Sequence, residues 1–328
     1  MPAWRIFAAI AAALSLICTA TLSSLAADFP SRAVRIIVPY PPGGSADTQA
    51  RILADALKEQ WGKPVIIENK PGAGTVIGAV YAASANPDGY TLYMAPGAFT
   101  IVPHLHKSRS YDPTTSFDPV SLVSTSFFLL LVSPKVSPKS GIGSLAQLVA
   151  LAKSKPGQVT FASQGIGGTP HLLGELFKTK AGIDVIHVPY TGAPASFSAV
   201  VSGDVNYVIG DVTAVPLVKG GLLKALAVTS SERSASVPDV PTFAEAGVEG
   251  VENTNWGAIV APAGTPSEVL NFLNRSIVQV LGNPAVQERF ERFGFTAESS
   301  TRAQLANRIK FDFKKFGEII HEGGIQPH

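Results

Sequence analysis

The sequence predicts an α/β protein built as two lobes facing one cleft. Strand-like and helix-like patterns alternate along the chain, as layered α/β architecture requires. Two distant segments, 39–47 and 163–171, share one design: a strand runs into a glycine cluster and a helix starts at once. Ligands of open α/β sheets sit beyond the carboxyl ends of strands, so two such loops suggest two domains presenting two helix N-termini to one site. A length of 328 residues permits two domains.

The elements follow in order. Val34–Val38 is a β-branched run that stops at the Pro39–Gly44 turn. Ala50, Leu53, Ala54 and Leu57 then recur at helical spacing, so a helix opens at Ser45-Ala46-Asp47. Its first N–H groups lack partners and lie at the positive end of the helix dipole, which favours an anion. No Lys follows the glycines, so this is not a P-loop, and a carboxylate fits better than a phosphate. Val65–Glu68 reads as a strand, Gly72–Gly74 as a turn and Thr75–Ala85 as a helix. Tyr90–Met94 is a strand ending at Ala95-Pro96-Gly97, and Phe127–Val132 is a continuous apolar run suited to a buried strand.

Leu145–Lys153 is helical, and Val159–Ala162 is a strand that enters the second glycine loop, Ser163–Thr169. Pro170 suits a first helical turn, and His171–Phe177 continues that helix. Asp184–Val188, Val205–Ile209, Leu223–Val228 and Trp256–Val260 read as further strands. The segment from Pro266 onward is helical, broken at Gly282-Asn283-Pro284 and at Gly294.

Residues 1–27 have the form of a secretory signal. Arg5 supplies the positive start, Ile6–Ala13 with Leu14, Leu16 and Ile17 the apolar core, and Ser24-Leu25-Ala26-Ala27 the small residues for cleavage. A periplasmic location is therefore expected. The remaining chain has no cysteine, which excludes disulfides, thiolate metal sites and a cysteine nucleophile. Net charge is +2 with 15% charged residues and no basic run, so there is no nucleic-acid footprint. No later apolar stretch is long enough to span a membrane.

Seven segments in order carry a family resemblance. They are Pro39–Asp47, Glu68–Gly74 (ENKPGAG), Pro87–Leu92 (PDGYTL), Ser163–Leu172, His187–Gly192 (HVPYTG), Pro238–Gly247 (PDVPTFAEAG) and Val260–Pro266. The chain resembles the Bug, or TctC-type, extracytoplasmic solute-binding proteins of tripartite tricarboxylate transporters across about Phe29 to Ile325. The resemblance implies a two-domain periplasmic binding protein fold, type II-like, with hinge segments crossing near 127–132 and 256–260. The domains would be 28–128 plus 258–328, and 129–257. It implies a monomer that is not an enzyme, carries no cofactor or metal, binds a small organic carboxylate and serves membrane transporter subunits.

Carried over by position, the carboxylate contacts would be Gly43, Gly44, Ser45, Ser163, Gly165, Gly167 and Thr169. Gly168 stands where the family usually has a hydroxyl, which Thr169 would replace. Tyr40, Pro42, Gln164 and Tyr190 complete the two loops as ligand-binding candidates, with Asp47, Gly97, Ala98, His171 and Asp211. Asp47 also suits a first helical turn for reasons of dipole alone. His171 would pack or hydrogen-bond its loop. Asp211 would accept either from a ligand hydroxyl or from loop N–H groups.

Gly72, Gly74 and Gly78 imitate a dinucleotide fingerprint, but no acidic residue follows the next strand, so a tight turn is expected instead. The His104/His106 pair lacks acidic neighbours and reads as a solvated loop rather than a metal site. Ser163 beside glycines could mimic a nucleophile, yet the sequence assigns it no base; a hydrolase is the alternative from another class. A sensor presenting its ligand to a signalling receptor needs the same cleft. Gly97-Ala98-Phe99 and Phe127-Phe128 look apolar for a citrate site, which tilts the expected ligand towards a di- or aromatic carboxylate.

Overall fold

The computed structural model describes residues 29–106, 109–135 and 142–322. The expected signal segment lies outside these residues. Among them, no helix is long and apolar enough to cross a membrane.

The first sheet has the order β11-β4-β10-β3-β1-β2, formed by β1 (Val34–Val38), β2 (Val65–Asn69), β3 (Thr91–Pro96), β4 (Phe117–Ser126), β10 (Asn255–Pro262) and β11 (Thr296–Ala297). β1 runs parallel to β2 and β3, whereas β10 is antiparallel to β3 and β4. The second sheet has the order β7-β6-β8-β5-β9, from β5 (Phe128–Val132), β6 (Val159–Ser163), β7 (Val185–Pro189), β8 (Tyr207–Asp211) and β9 (Lys224–Val228). β6 is parallel to β7 and β8, and β5 is antiparallel to β8 and β9. Each sheet thus has one strand, β1 or β6, flanked by two parallel neighbours. That is the switch point from which a ligand loop leaves an α/β sheet.

Both sheets are covered on two faces, which explains why their strands read as near-continuous apolar runs. Val34, Ile36 and Val38 of β1 join the core that holds Leu53 and Leu57 of α1 (Ser45–Trp61). Ile37 turns to the opposite face with Ala79 of α2 (Val76–Ala83) and Leu305 of the C-terminal helix. α1 ends at Gly62, whose left-handed conformation lets its N–H reach Lys58 O. In the second lobe, Phe128, Leu130 and Val132 pack against α3 (Leu145–Ser154) and α4 (Thr169–Ala181). Leu129 and Leu131 face the other way, towards α5 (Ala193–Ser202). Next come a short α6 (Val215–Lys219), then α7 (Ser267–Leu281), α8 (Pro284–Glu291) and α9 (Arg302–Glu322).

Four elements were not predicted: β4, the two-residue β11, α5 and the short α6. β4 carries Asp118-Pro119 and buries Ser121 and Ser124, which reads locally as loop. Its pairing with β10 makes it a strand, and Ser300 serves two of its polar groups: Leu122 N–H donates to Ser300 Oγ (3.0 Å) and Ser300 N–H to Ser121 Oγ (3.1 Å). α5 is rich in alanine and serine with Pro194 in its first turn, so no apolar periodicity announced it.

The chain passes between sheets twice. β4 ends at Ser126 in the first sheet and β5 begins at Phe128 in the second; the return runs through Asn253 to Asn255. Thr229 ties the passages together, accepting from Phe128 N–H (2.9 Å) and Asn253 N–H (2.8 Å). The expected crossings at 127–132 and 256–260 are therefore displaced: residues 128–132 belong wholly to the second sheet and 256–260 wholly to the first. An apolar run marks where a strand is buried, not where the chain changes sheets.

Candidate functional site

The first glycine loop leaves β1 and is fastened by charge. Gly43 adopts a positive φ of 88°, which only glycine enters without strain. Gly44 caps α1 but offers no side-chain acceptor to the helix. Asp47, buried in the first turn, accepts from Gly43 N–H (2.9 Å), from Arg51 Nε and Nη2 (2.9 and 3.0 Å) and from Asn69 Nδ2 (2.9 Å). Asn69 Nδ2 also donates to Tyr40 O (2.9 Å). Burial pushes the Asp47 carboxyl up, but the bonds from Arg51, Gly43 and Asn69 outweigh it and hold the group below its ordinary 3.8.

The second glycine loop leaves β6 and is fastened by neutral groups. Ser163, fully buried, lies 2.7 Å from His187 Nε2, and its Oγ accepts from Gly165 N–H at 3.3 Å. Gly167, with a φ of 78°, donates its N–H to His171 Nδ1 at 3.1 Å, so Nδ1 is the unprotonated nitrogen of that ring. The His171 and His187 rings stack with centroids 4.0 Å apart. Burial first, and then His171, push His187 down to about 3, which keeps it neutral near pH 7. Ser163 therefore does have a histidine beside it, as the sequence did not reveal. A buried hydroxyl next to so weak a base fastens the loop and makes no nucleophile.

The two loops converge on one small cavity. Tyr40, Gly44, Ser45 and Gln49 line it from the first lobe, Gln164 and Asp211 from the second, and Asn255 from the passage between them. Asp211 ends β8 and is buried. It accepts from Gln164 Nε2 (2.9 Å) and from the Thr213 N–H and hydroxyl, and it faces the same cavity as Ser45. Burial pushes its carboxyl up against the opposing pull of those bonds. The cavity holds about 30 Å³, roughly the share of one water molecule. The lobes also meet directly. A Cβ on Gly74 would lie 2.7 Å from Ile166 O, and one on Gly192 would lie 3.2 Å from Pro41 Cδ. The cleft is shut.

Tyr40, Gly44, Ser45, Gln164 and Asp211 are thus sequence-predicted residues that the fold brings to the cavity wall. Asp47 has its carboxylate turned into the loop fastening, and Gly43 supplies one of that group's donors; neither they nor Pro42 line the cavity. Ser163, Gly165 and His171 build the second loop from behind, and Gly168 caps α4. Gly167 and Tyr190 border a separate opening beside Ala73 and Gly74. Gly97 and Thr169 approach closely, a Cβ on Gly97 lying 3.4 Å from Thr169 Oγ1, and both line a further groove, while Ala98 is buried. Gln49 was missed although it lies one turn from Ser45, a spacing that could have pointed to it. Asn255, Trp256 and Gly257 gave no such signal, because β10 returns to the site from the far end of the sequence.

Other expectations resolve here. Phe127 and Phe128 pack in the two cores and Phe99 stacks on Tyr111, so these rings are no evidence for an apolar ligand. His104 is not a solvated loop residue: its Nε2 lies 2.8 Å from Phe313 O and its ring packs on Phe313. Gly78 lets α2 approach β1, since a Cβ there would lie 3.1 Å from Pro39 Cα. Among the described residues, no three His, Cys, Asp or Glu side chains gather as a metal site would require.

Residues 49–325 match the model of the tripartite tricarboxylate transporter family receptors. Protein BugT of Bordetella pertussis is 36% identical over 301 residues, covering 91% of each chain. Among solved structures, R. palustris Rpa4515 with adipate has a TM-score of 0.87 at 30% identity, covering 92% of this chain and all of the other. MatC from Rhodopseudomonas palustris with bound malate has a TM-score of 0.83 at 30% identity, covering 89% of this chain and all of the other. Periplasmic binding protein BugD is similar at 0.85 and 30%, covering 91% and 99%. The chain, with its paired sheets and facing glycine loops, belongs to the tripartite tricarboxylate transporter receptor family, the Bug/TctC solute-binding proteins.

Proposed function

We propose that this chain captures a small organic carboxylate between its lobes, in the periplasm, and delivers it to membrane subunits of a tripartite tricarboxylate-type transporter. One observation carries the reading: Gly44 and Ser45 at the N-terminus of α1, which no side chain caps, line one small cavity together with Gln164 and Asp211 of the opposite lobe. Similar proteins have been solved with adipate and with malate. The ligand's carboxylate takes the N–H groups of Gly44 and Ser45, with Tyr40 and Gln164 beside it.

A cavity of about 30 Å³ does not hold such an acid. Entry therefore needs the lobes to separate about the two passages, Ser126–Phe128 and Asn253–Asn255. The protein acts as a monomer and releases its ligand unchanged. The test is native mass spectrometry for co-purified acid, followed by uptake of the labelled acid in cells with and without this chain. Loss of uptake with transporter expression unaltered supports delivery. Normal uptake, or a chemically altered ligand, overturns it.

A further inference from the structure

Helix α1 runs for 17 residues and is capped by Gly44, which has no side chain to offer its first N–H groups. Asp211 of the opposite lobe lines the same cavity as Gly44 and Ser45. One turn into α1 lies Gln49, 2% exposed and on the wall of the same cavity. Its Nε2 donates to Ser45 Oγ at 2.9 Å, while its Oε1 has no partner. No Lys, Arg or His lines the cavity.

These facts constrain what binds. An incoming carboxylate that takes Ser45 N–H stands beside Asp211, with no lining cation to offset two anionic groups. The wall presents two acceptors to it, the Asp211 carboxylate and Gln49 Oε1, the latter without any donor. A ligand that carries an O–H or N–H beside its carboxylate supplies one; a plain carboxylic acid does not.

We propose that the site selects carboxylates bearing a hydroxyl or ammonium group next to the carboxylate, with Asp211 and Gln49 as the specificity-determining acceptors. This rests on the carboxylate-binding reading above. It names the ligand class by a donor, and the donor's identity is an arm of the test.

Calorimetry at pH 7 on the full mature chain would compare matched sets: propionate, lactate and alanine; succinate, malate and aspartate; glutarate, 2-hydroxyglutarate and glutamate. In whichever set binds, the hydroxy or amino acid is expected to bind at least about tenfold tighter than the plain acid, a factor equal to about 1.4 kcal/mol. Asp211→Asn should collapse that ratio below about threefold by weakening the donor-bearing ligand and strengthening the plain one. Gln49→Met, which leaves Asp211 in place, should lower the ratio part way and covers the case in which the Asp211 variant fails to fold. Thermal melts establish folding of both. A plain acid that binds as tightly as its donor-bearing partners, or a ratio unmoved in both folded variants, overturns the inference and leaves the carboxylate reading standing. Absence of binding by every acid overturns both.

Discussion

The two glycine loops look alike in sequence and are held by opposite means. The loop after β1 is clamped by an ion pair: Asp47 gathers Arg51, Asn69 and the Gly43 N–H. The loop after β6 is clamped by uncharged rings, with Gly167 N–H on His171 Nδ1 and Ser163 beside His187. Yet both clamps serve one end, which is to fix a glycine turn where a strand hands over to a helix at the cleft. Arg51 is half-exposed, so the ionic clamp needs only one buried charge. Burial disfavours charge on His187, and stacked rings 4.0 Å apart would repel if both were protonated. A shared backbone design thus leaves room for fastenings with different pH responses.

The largest expected effect would break the first clamp. Asp47→Ala leaves the Gly43 N–H and Asn69 Nδ2 without their acceptor, and is expected to cost about 2–3 kcal/mol in urea unfolding. A loss below about 0.5 kcal/mol would show that the ion pair is incidental to the loop. Next is Gly167→Ala in the second loop. Its φ of 78° and a Cβ only 2.8 Å from Leu105 Cδ1 predict a loss of about 1–2 kcal/mol. A neutral result would mean that the loop relaxes freely.

The pH dependence separates the clamps. His187 is held near 3, so the folded protein refuses a proton that the unfolded chain binds below about 6.5. The contribution is complete above 6.5 and is lost as pH falls from 6.5 towards 3. Asp47, held low, loses its contribution only as pH falls below its ordinary 3.8. His104, also held low by burial, adds to the upper window. Stability measured from pH 7 to pH 4 should therefore fall less steeply in His187→Gln than in the parent. An unaltered slope would remove the imidazole clamp from the comparison.

The smallest effect is expected at Gly44→Ala. Its φ of −86° suits alanine and the nearest atom to a Cβ is 3.9 Å away, so the cost is about 0.5 kcal/mol, the loss of a good N-cap residue. Unfolding that matches the parent, set against a clear loss in Gly167→Ala, would sharpen the distinction between a glycine needed for φ and one that only caps a helix.

The sequence by itself determined the α/β class, the order of most elements, both glycine loops and the family. Those signals are local: apolar runs, glycine clusters and motifs whose meaning does not depend on distant partners. Tyr40, Ser45, Gln164 and Asp211 were legible for the same reason, because each sits at the end of a strand or the start of a helix. The tertiary structure alone decided the rest. It made Asp118–Ser126 a strand by pairing it with β10, and gave Ser163 its histidine from a neighbouring strand. It also brought Asn255, Trp256 and Gly257 to a cavity whose other walls lie earlier in the chain, and set Asp211 opposite Ser45 in that cavity. Each of these is a contact between segments far apart in sequence. A buried carboxylate finds its donor, and a polar strand its partner, only after both sheets have formed and closed on each other.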